Sequence, residues 1–174
     1  KWGVDFVKVD DLSRPYHAAE IEAIRKAIDQ TGRAIVFSTS PGATPLSEGK
    51  NIEDHANMWR ISDDFWDRWP ALKEQFARCA DWTPYRGAGH FPDADMLPLG
   101  AIHALQHGHT HFTPDEQYTL MTLWSICRSP LMFGGDLPQT DSFTLSLLTN
   151  DEVLAVDQHS AGGHQLFNHD NLIA

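Results

Sequence analysis

The sequence predicts an α/β fold of parallel β/α units, closed as a (β/α)8 barrel in preference to an open doubly wound sheet. Three observations carry this. Short β-branched and aromatic runs alternate with stretches of helical period along the 174 residues, the pattern that right-handed β/α crossovers produce. No glycine-rich phosphate loop follows any of the runs, which removes support for a nucleotide-binding open sheet. Acidic side chains gather where the runs end, and barrels place their chemistry at the C-terminal ends of their strands.

Val4-Asp5-Phe6-Val7-Lys8-Val9 reads as the first strand. From Ala18 to Thr31, Ile21, Ile24, Ala27 and Ile28 recur at spacings of three and four, and Gly32 follows where a helix C-terminal cap belongs. Ala34-Ile35-Val36-Phe37 is the second strand, closed by the turn-forming Ser38 to Gly42. Met58 to Ser62 is the third, leading into a helix from Phe65 to Ala80 in which Pro70 marks a kink or a break. Asp93 to Leu97 lies at the end of a fourth, weaker strand. Thr113-Pro114-Asp115-Glu116 is a helix start with capping hydroxyl, N1 proline and box glutamate, ahead of the apolar stripe Leu120 to Ile126. Pro130 to Gly135 reads as a fifth strand and turn, and Thr144 to Leu148 as a last short helix.

Composition narrows the function classes. An apolar fraction of 41% is that of a globular core. A net charge of -11 opposes phosphate backbones, so nucleic acid is excluded as a partner. No apolar run approaches the roughly 20 residues of a membrane span, and no membrane partner is expected. Cys79 and Cys127, the two cysteines, read as buried free thiols and not as a disulfide framework.

Alternation along the first strand puts Phe6, Lys8 and Asp10 on one face. A lysine and a carboxylate projecting together at a strand end form either a salt bridge that caps the core or the start of a polar site. The same alternation, if the third strand runs on, puts Arg60, Ser62 and Asp64 together and leaves Asp63 to cap the next helix. Two carboxylates on separate barrel strands can flank a glycosidic bond, one attacking C1 and the other protonating the leaving oxygen. Asp93 and Asp95 form a third acidic cluster, suited to sugar hydroxyls or to a turn. His103, His107, His109 and His111 offer a weaker alternative, a metal site, against a polar loop.

These segments resemble glycoside hydrolase family 27, the melibiase or α-galactosidase family. Trp2-Gly3-Val4-Asp5-Phe6-Val7-Lys8-Val9-Asp10 is similar to its nucleophile strand, and Trp59-Arg60-Ile61-Ser62-Asp63-Asp64-Phe65 to its acid/base strand. Pro92 to Leu97 resembles its Asp-Pro-Asp-Met-Leu signature, and Leu123-Trp124-Ser125 through Ser129-Pro130-Leu131-Met132 the approach to its last barrel strand. The resemblance implies a retaining hydrolase of α-galactosidic or closely related bonds, with Asp10 as nucleophile and Asp64 as acid/base. It also implies Lys8, Arg60, Asp95, Met96 and Ser40 as sugar-binding residues, a carbohydrate substrate, no cofactor and no metal. Secretion or a periplasmic location follows from the resemblance only.

By the family layout the chain runs from the fourth barrel strand to the eighth, with residues 1–157 in the barrel and 158–174 opening a C-terminal β-sandwich domain. Two positions depart from the family pattern. Leu12 stands where many members have a disulfide cysteine, and Thr39-Ser40-Pro41 stands for Cys-Glu-Trp, so the carboxylate near the sugar's second hydroxyl becomes a hydroxyl. That change leaves room for a related sugar. The rival readings are an inactive sugar-binding homologue, a Schiff-base aldolase using Lys8, and a metal-dependent hydrolase using the histidines. A barrel short of three strands leaves sheet edges unpaired, so the isolated 174-residue piece is expected to aggregate or to be unstable. A cooperative thermal transition from a soluble monomer of this length would refute that expectation.

Overall fold

The computed structural model describes residues 2–103, 108–169 and 172–174. The chain divides into two compact units, Lys1–Asp64 with Asp81–Asp93, and Phe65–Ala80 with Ala94–Ala174.

The first unit is built on a four-stranded parallel sheet of β1 (Phe6–Val9), β2 (Val36–Thr39), β3 (Met58–Arg60) and β4 (Phe91–Asp93), adjacent in sequence order. An open doubly wound sheet reverses its strand order at a switch point; this sheet does not, as a barrel sector requires. Register aligns Lys8, Ser38, Met58 and Phe91 in one row and Val9, Thr39, Trp59 and Pro92 in the next. Pro92, which cannot donate to a ladder, sits on the outermost strand, where that loss is tolerated.

Helix α1 (Ala18–Gln30) follows β1 and buries Ile21 and Ile28, with Ile24 half-buried and Ala27 exposed. Gly32 takes φ +67° just beyond it, the left-handed turn expected of a capping glycine. A short helix, α2 (Gly49–His55), precedes β3 and is absent from the sequence reading. Its first residue must be glycine, because a Cβ there would stand 2.3 Å from Cζ of Tyr85. Phe37, Ile52, Trp59 and Ile61 form the core, and the indole of Trp59 meets that of Trp82 at 5.9 Å.

The second unit is largely helical. Helix α3 (Trp69–Trp82) starts four residues later than expected, and Pro70 falls in its first turn, so it begins the helix and neither kinks nor breaks it. Helix α4 (Pro114–Cys127) carries the full capping box, with Thr113 Oγ1 accepting from the Glu116 amide and Glu116 accepting from the Thr113 amide. Phe65 packs between Phe112 and Trp124, at ring separations of 6.1 and 5.0 Å. The fifth strand expected over Pro130 to Gly135 reduces to one parallel bridge, Leu97 with Phe133. Around that bridge the Leu97 amide donates to the Met132 carbonyl at 2.8 Å and the Gly134 amide to the Leu97 carbonyl at 2.9 Å.

Helix α5 (Ser142–Leu148) is followed by α6 (Asp151–His159), which the sequence reading does not contain. Arg128, at φ +52°, ties the end of α6 by donating to the carbonyls of Asp157, Gln158 and Ser160. Beyond it β5 (Asn168–His169) and β6 (Leu172–Ile173) pair antiparallel. Neither cysteine forms a disulfide, and Cys79 is buried while Cys127 is only half-buried.

Asp141 caps α5, accepting from the amide and hydroxyl of Thr144 at 2.8 and 2.9 Å. The Thr144 amide, first among its partners, holds the Asp141 carboxyl down to about 2. Its folded value lies below its unfolded one, so its contribution is complete above the ordinary carboxylate range and is lost as pH falls towards 2. Asp141→Ala is expected to cost about 1 kcal/mol at neutral pH, with the difference from the parent shrinking below pH 4 in denaturant titrations.

Candidate active site

Asp10 follows directly on β1 and is exposed, as is Lys8 two residues before it on the same face. Among the described residues neither side chain has a hydrogen-bond or ion-pair partner. The salt bridge that would have capped the core does not form. A cation and a carboxylate stand open at the end of a parallel strand, available to a polar ligand.

The next two strands supply a buried counterpart. Ser40 continues β2, its amide bonded to the Val9 carbonyl at 2.9 Å. Arg60 ends β3 and is 2% exposed. Its Nη1 donates to Ser40 Oγ at 3.5 Å and its Nη2 to Asp64 Oδ1 at 3.4 Å. Both contacts exceed the usual 2.7–3.2 Å of such bonds. The fork is splayed between two strand-end segments.

Asp64 reaches this position by a different route from the one expected. β3 stops at Arg60, and the chain bends through Ile61, Ser62 and Asp63, so alternation does not extend to Asp64. Ser62 turns inward, while the Asp64 side chain is 64% exposed and is drawn back to Arg60 by the ion pair. Asp63 does not cap a helix, since α3 starts only at Trp69; it pairs with Arg14 Nη1 at 2.9 Å.

Asp95 and Met96 belong to the second unit. Asp95 is buried at φ +82°, a conformation non-glycine residues rarely adopt and one that concentrates at functional sites. Its carboxylate accepts from the Phe65 amide at 2.6 Å, and its carbonyl accepts from Trp124 Nε1 at 2.8 Å. Met96 lies against Gly134, where a Cβ would approach its sulfur to 2.5 Å.

The histidines do not converge. His103 Nε2 contacts Asp136 at 3.1 Å, His109 Nε2 contacts Asp141 at 3.2 Å, and His111 Nδ1 lies 3.6 Å from Asp67. His107 lies outside the described residues. Among the described residues no group of three potential metal ligands occurs, and no helix is long and apolar enough to cross a membrane.

One residue of the polar face escaped the sequence reading. Ser38 is fully buried, its Oγ has no hydrogen-bond partner among the described residues, and it stands in register with Lys8. The signal was available: Ser38 and Ser40 are two apart on one strand, on the face that Lys8 and Asp10 share.

Residues 1–159 match the melibiase family described as alpha galactosidase A. The chain belongs to glycoside hydrolase family 27, a family of glycosidases. It is 52% identical to a family 27 β-L-arabinopyranosidase from Geobacillus stearothermophilus, solved in complex with arabinose, at a TM-score of 0.94 over 99% of this chain and 42% of that one. Among curated proteins it is 30% identical to human alpha-galactosidase A, over 98% of this chain and 41% of the human one. It is 27% identical to the alpha-N-acetylgalactosaminidase of Gallus gallus, over 93% and 41%. The chain thus spans about two fifths of the length of these relatives.

The splayed fork makes Arg60 sensitive to shape as well as charge. A lysine keeps the charge but not the two-pronged geometry, so Arg60→Lys is expected to cost about 1–3 kcal/mol of stability. An unchanged denaturation midpoint of the complete protein would show that the fork contributes nothing to the fold.

Proposed function

We propose that the protein is a retaining glycoside hydrolase acting by double displacement on terminal α-galactosidic or stereochemically equivalent bonds. The observation that carries this is the pair of strand-end carboxylates in contrasting settings. Asp10 stands open beside Lys8 without a partner among the described residues, and Asp64 is held against a buried guanidinium. Asp10 attacks C1, forming a glycosyl ester as the bond to the leaving oxygen breaks and Asp64 gives that oxygen its proton. Asp64 then takes a proton from water, whose oxygen attacks C1 and frees Asp10. The negative charge left on Asp64 after the first step appears beside Arg60, which meets it with a fixed cation. No cofactor or metal enters.

Lys8, Ser40 and Arg60 bind sugar hydroxyls. Ser40 brings a hydroxyl, and no charge, to the position near the sugar's second hydroxyl. A β-L-arabinopyranoside is an α-D-galactoside without its hydroxymethyl group, with the same configuration at every ring carbon that remains. The likeness to the Geobacillus enzyme therefore supports arabinopyranosides beside galactosides as substrates. Residues 1–157 form the C-terminal part of the catalytic (β/α)8 barrel, and 158–174 open a β-sandwich domain.

Release of nitrophenol from aryl α-D-galactoside and aryl β-L-arabinopyranoside by the complete protein tests the reading. Asp10→Asn is expected to reduce turnover by at least about 10³-fold, since the covalent step has no substitute nucleophile. NMR of the first-formed sugar is expected to show retained configuration. An inverted product would overturn the double displacement, and failure on both glycosides would overturn the substrate assignment.

A further inference from the structure

Arg14 lies outside the residues assigned above, on the loop between β1 and α1. That loop is closely folded. Asp11 takes φ +62° directly after Asp10, Leu12 and Ser13 are 7% and 2% exposed, Ser13 bridges to Tyr16, and the His17 amide bonds to the Leu12 carbonyl at 3.0 Å. Arg14 therefore rides on a turn anchored at both ends, four residues from Asp10.

Its guanidinium touches the two neighbouring strand-end segments. Nη1 pairs with Asp63 Oδ1 at 2.9 Å, one residue before Asp64. Its Nε lies where a side chain at Gly42, two residues after Ser40, would approach to 2.7 Å. Gly42 has φ +88°, a backbone conformation that favours glycine there. The segments carrying Asp10, Ser40 and Asp64 are thus joined at two levels. Arg60 links Ser40 to Asp64 inside the fold, and Arg14 links all three at the exposed ends.

We propose that Arg14 is a positioning residue that fixes Asp64, through Asp63, relative to the segment of Asp10. In a retaining enzyme the two carboxyl groups must stand about 5–5.5 Å apart, and a 1 Å displacement can cost as much as about 10²-fold in rate. Asp64 has a 64% exposed side chain and a long contact to Arg60, so its own interactions leave it latitude that the Arg14 link removes.

This inference rests on the roles proposed for Asp10 and Asp64, and the test separates the two. Rates are measured on aryl glycosides whose leaving groups span a wide range of acidity. Arg14→Ala is expected to lower kcat/KM roughly 10-fold for poor leaving groups, much less for dinitrophenolate, which leaves without a proton, and to change the unfolding midpoint little. Asp63→Asn should do the same, and the double variant no worse than either single one. The exchanged pair, Arg14→Asp with Asp63→Arg, should recover part of the loss. Unchanged rates, or a uniform loss across leaving groups with a lowered midpoint, overturn the positioning role alone, provided Asp10→Asn is inactive. A parent without glycosidase turnover, or an active Asp10→Asn variant, overturns this inference together with the proposed function.

Discussion

A guanidinium buried to 2% exposure constrains everything built around it. Taking an arginine out of water costs several kcal/mol unless acceptors replace the lost hydration. Arg60 ends a central strand of the parallel sheet, so those acceptors must come from the adjoining strand ends, and two of them are the Ser40 hydroxyl and the Asp64 carboxylate. The sheet fixes Ser40 through its ladder bond to Val9, whereas Asp64 has left the ladder and returns only through Arg60. A core requirement, satisfying a buried cation, thereby becomes the device that orients a carboxylate at the surface.

The charges at these strand ends are graded from inside to outside. Arg60 sits innermost against Asp64, and Arg14 sits outermost against Asp63. Asp10 is the carboxylate proposed to carry the nucleophilic step, and its side chain meets neither cation within ion-pair distance. A nucleophile bonded tightly to a guanidinium would give up charge density to it, so an unpaired Asp10 suits attack on C1. Chain-wide acidity, -11 in net charge, forms the background against which three local cations, Lys8, Arg14 and Arg60, are set.

The sequence already contains the sheet, because each strand is a short β-branched run bounded by turn residues and each of the longer helices has its own period or cap. The capping box at Thr113 was readable to the atom, since all of its partners lie within three residues. The placement of Asp10 directly after β1 was also readable, its role being a proposal. Asp64 was reached by a premise that the structure does not share: β3 ends at Arg60, and it is the spacing of four between Arg60 and Asp64 that brings the two together. Elements that depend on distant partners were not legible. Helix α2 starts at a glycine chosen for the ring of Tyr85, and α6 is secured by Arg128, more than twenty residues earlier in the chain.

Arg14 was hidden for the same reason, and energy alone would not have drawn attention to it. Its pair with Asp63 has both side chains 65% exposed, and such pairs contribute about 0–1 kcal/mol in water. Geometry is a different matter from stability. One cation touching two neighbouring strand ends from a third restricts how they move relative to one another, even where the net free energy of each contact is small. In the proposed function its effect also grows when a sugar covers the site, because excluding water lowers the local dielectric and strengthens a charge pair beneath it. A contact that contributes little to folding would then gain influence as the proposed substrate closes over the carboxylates.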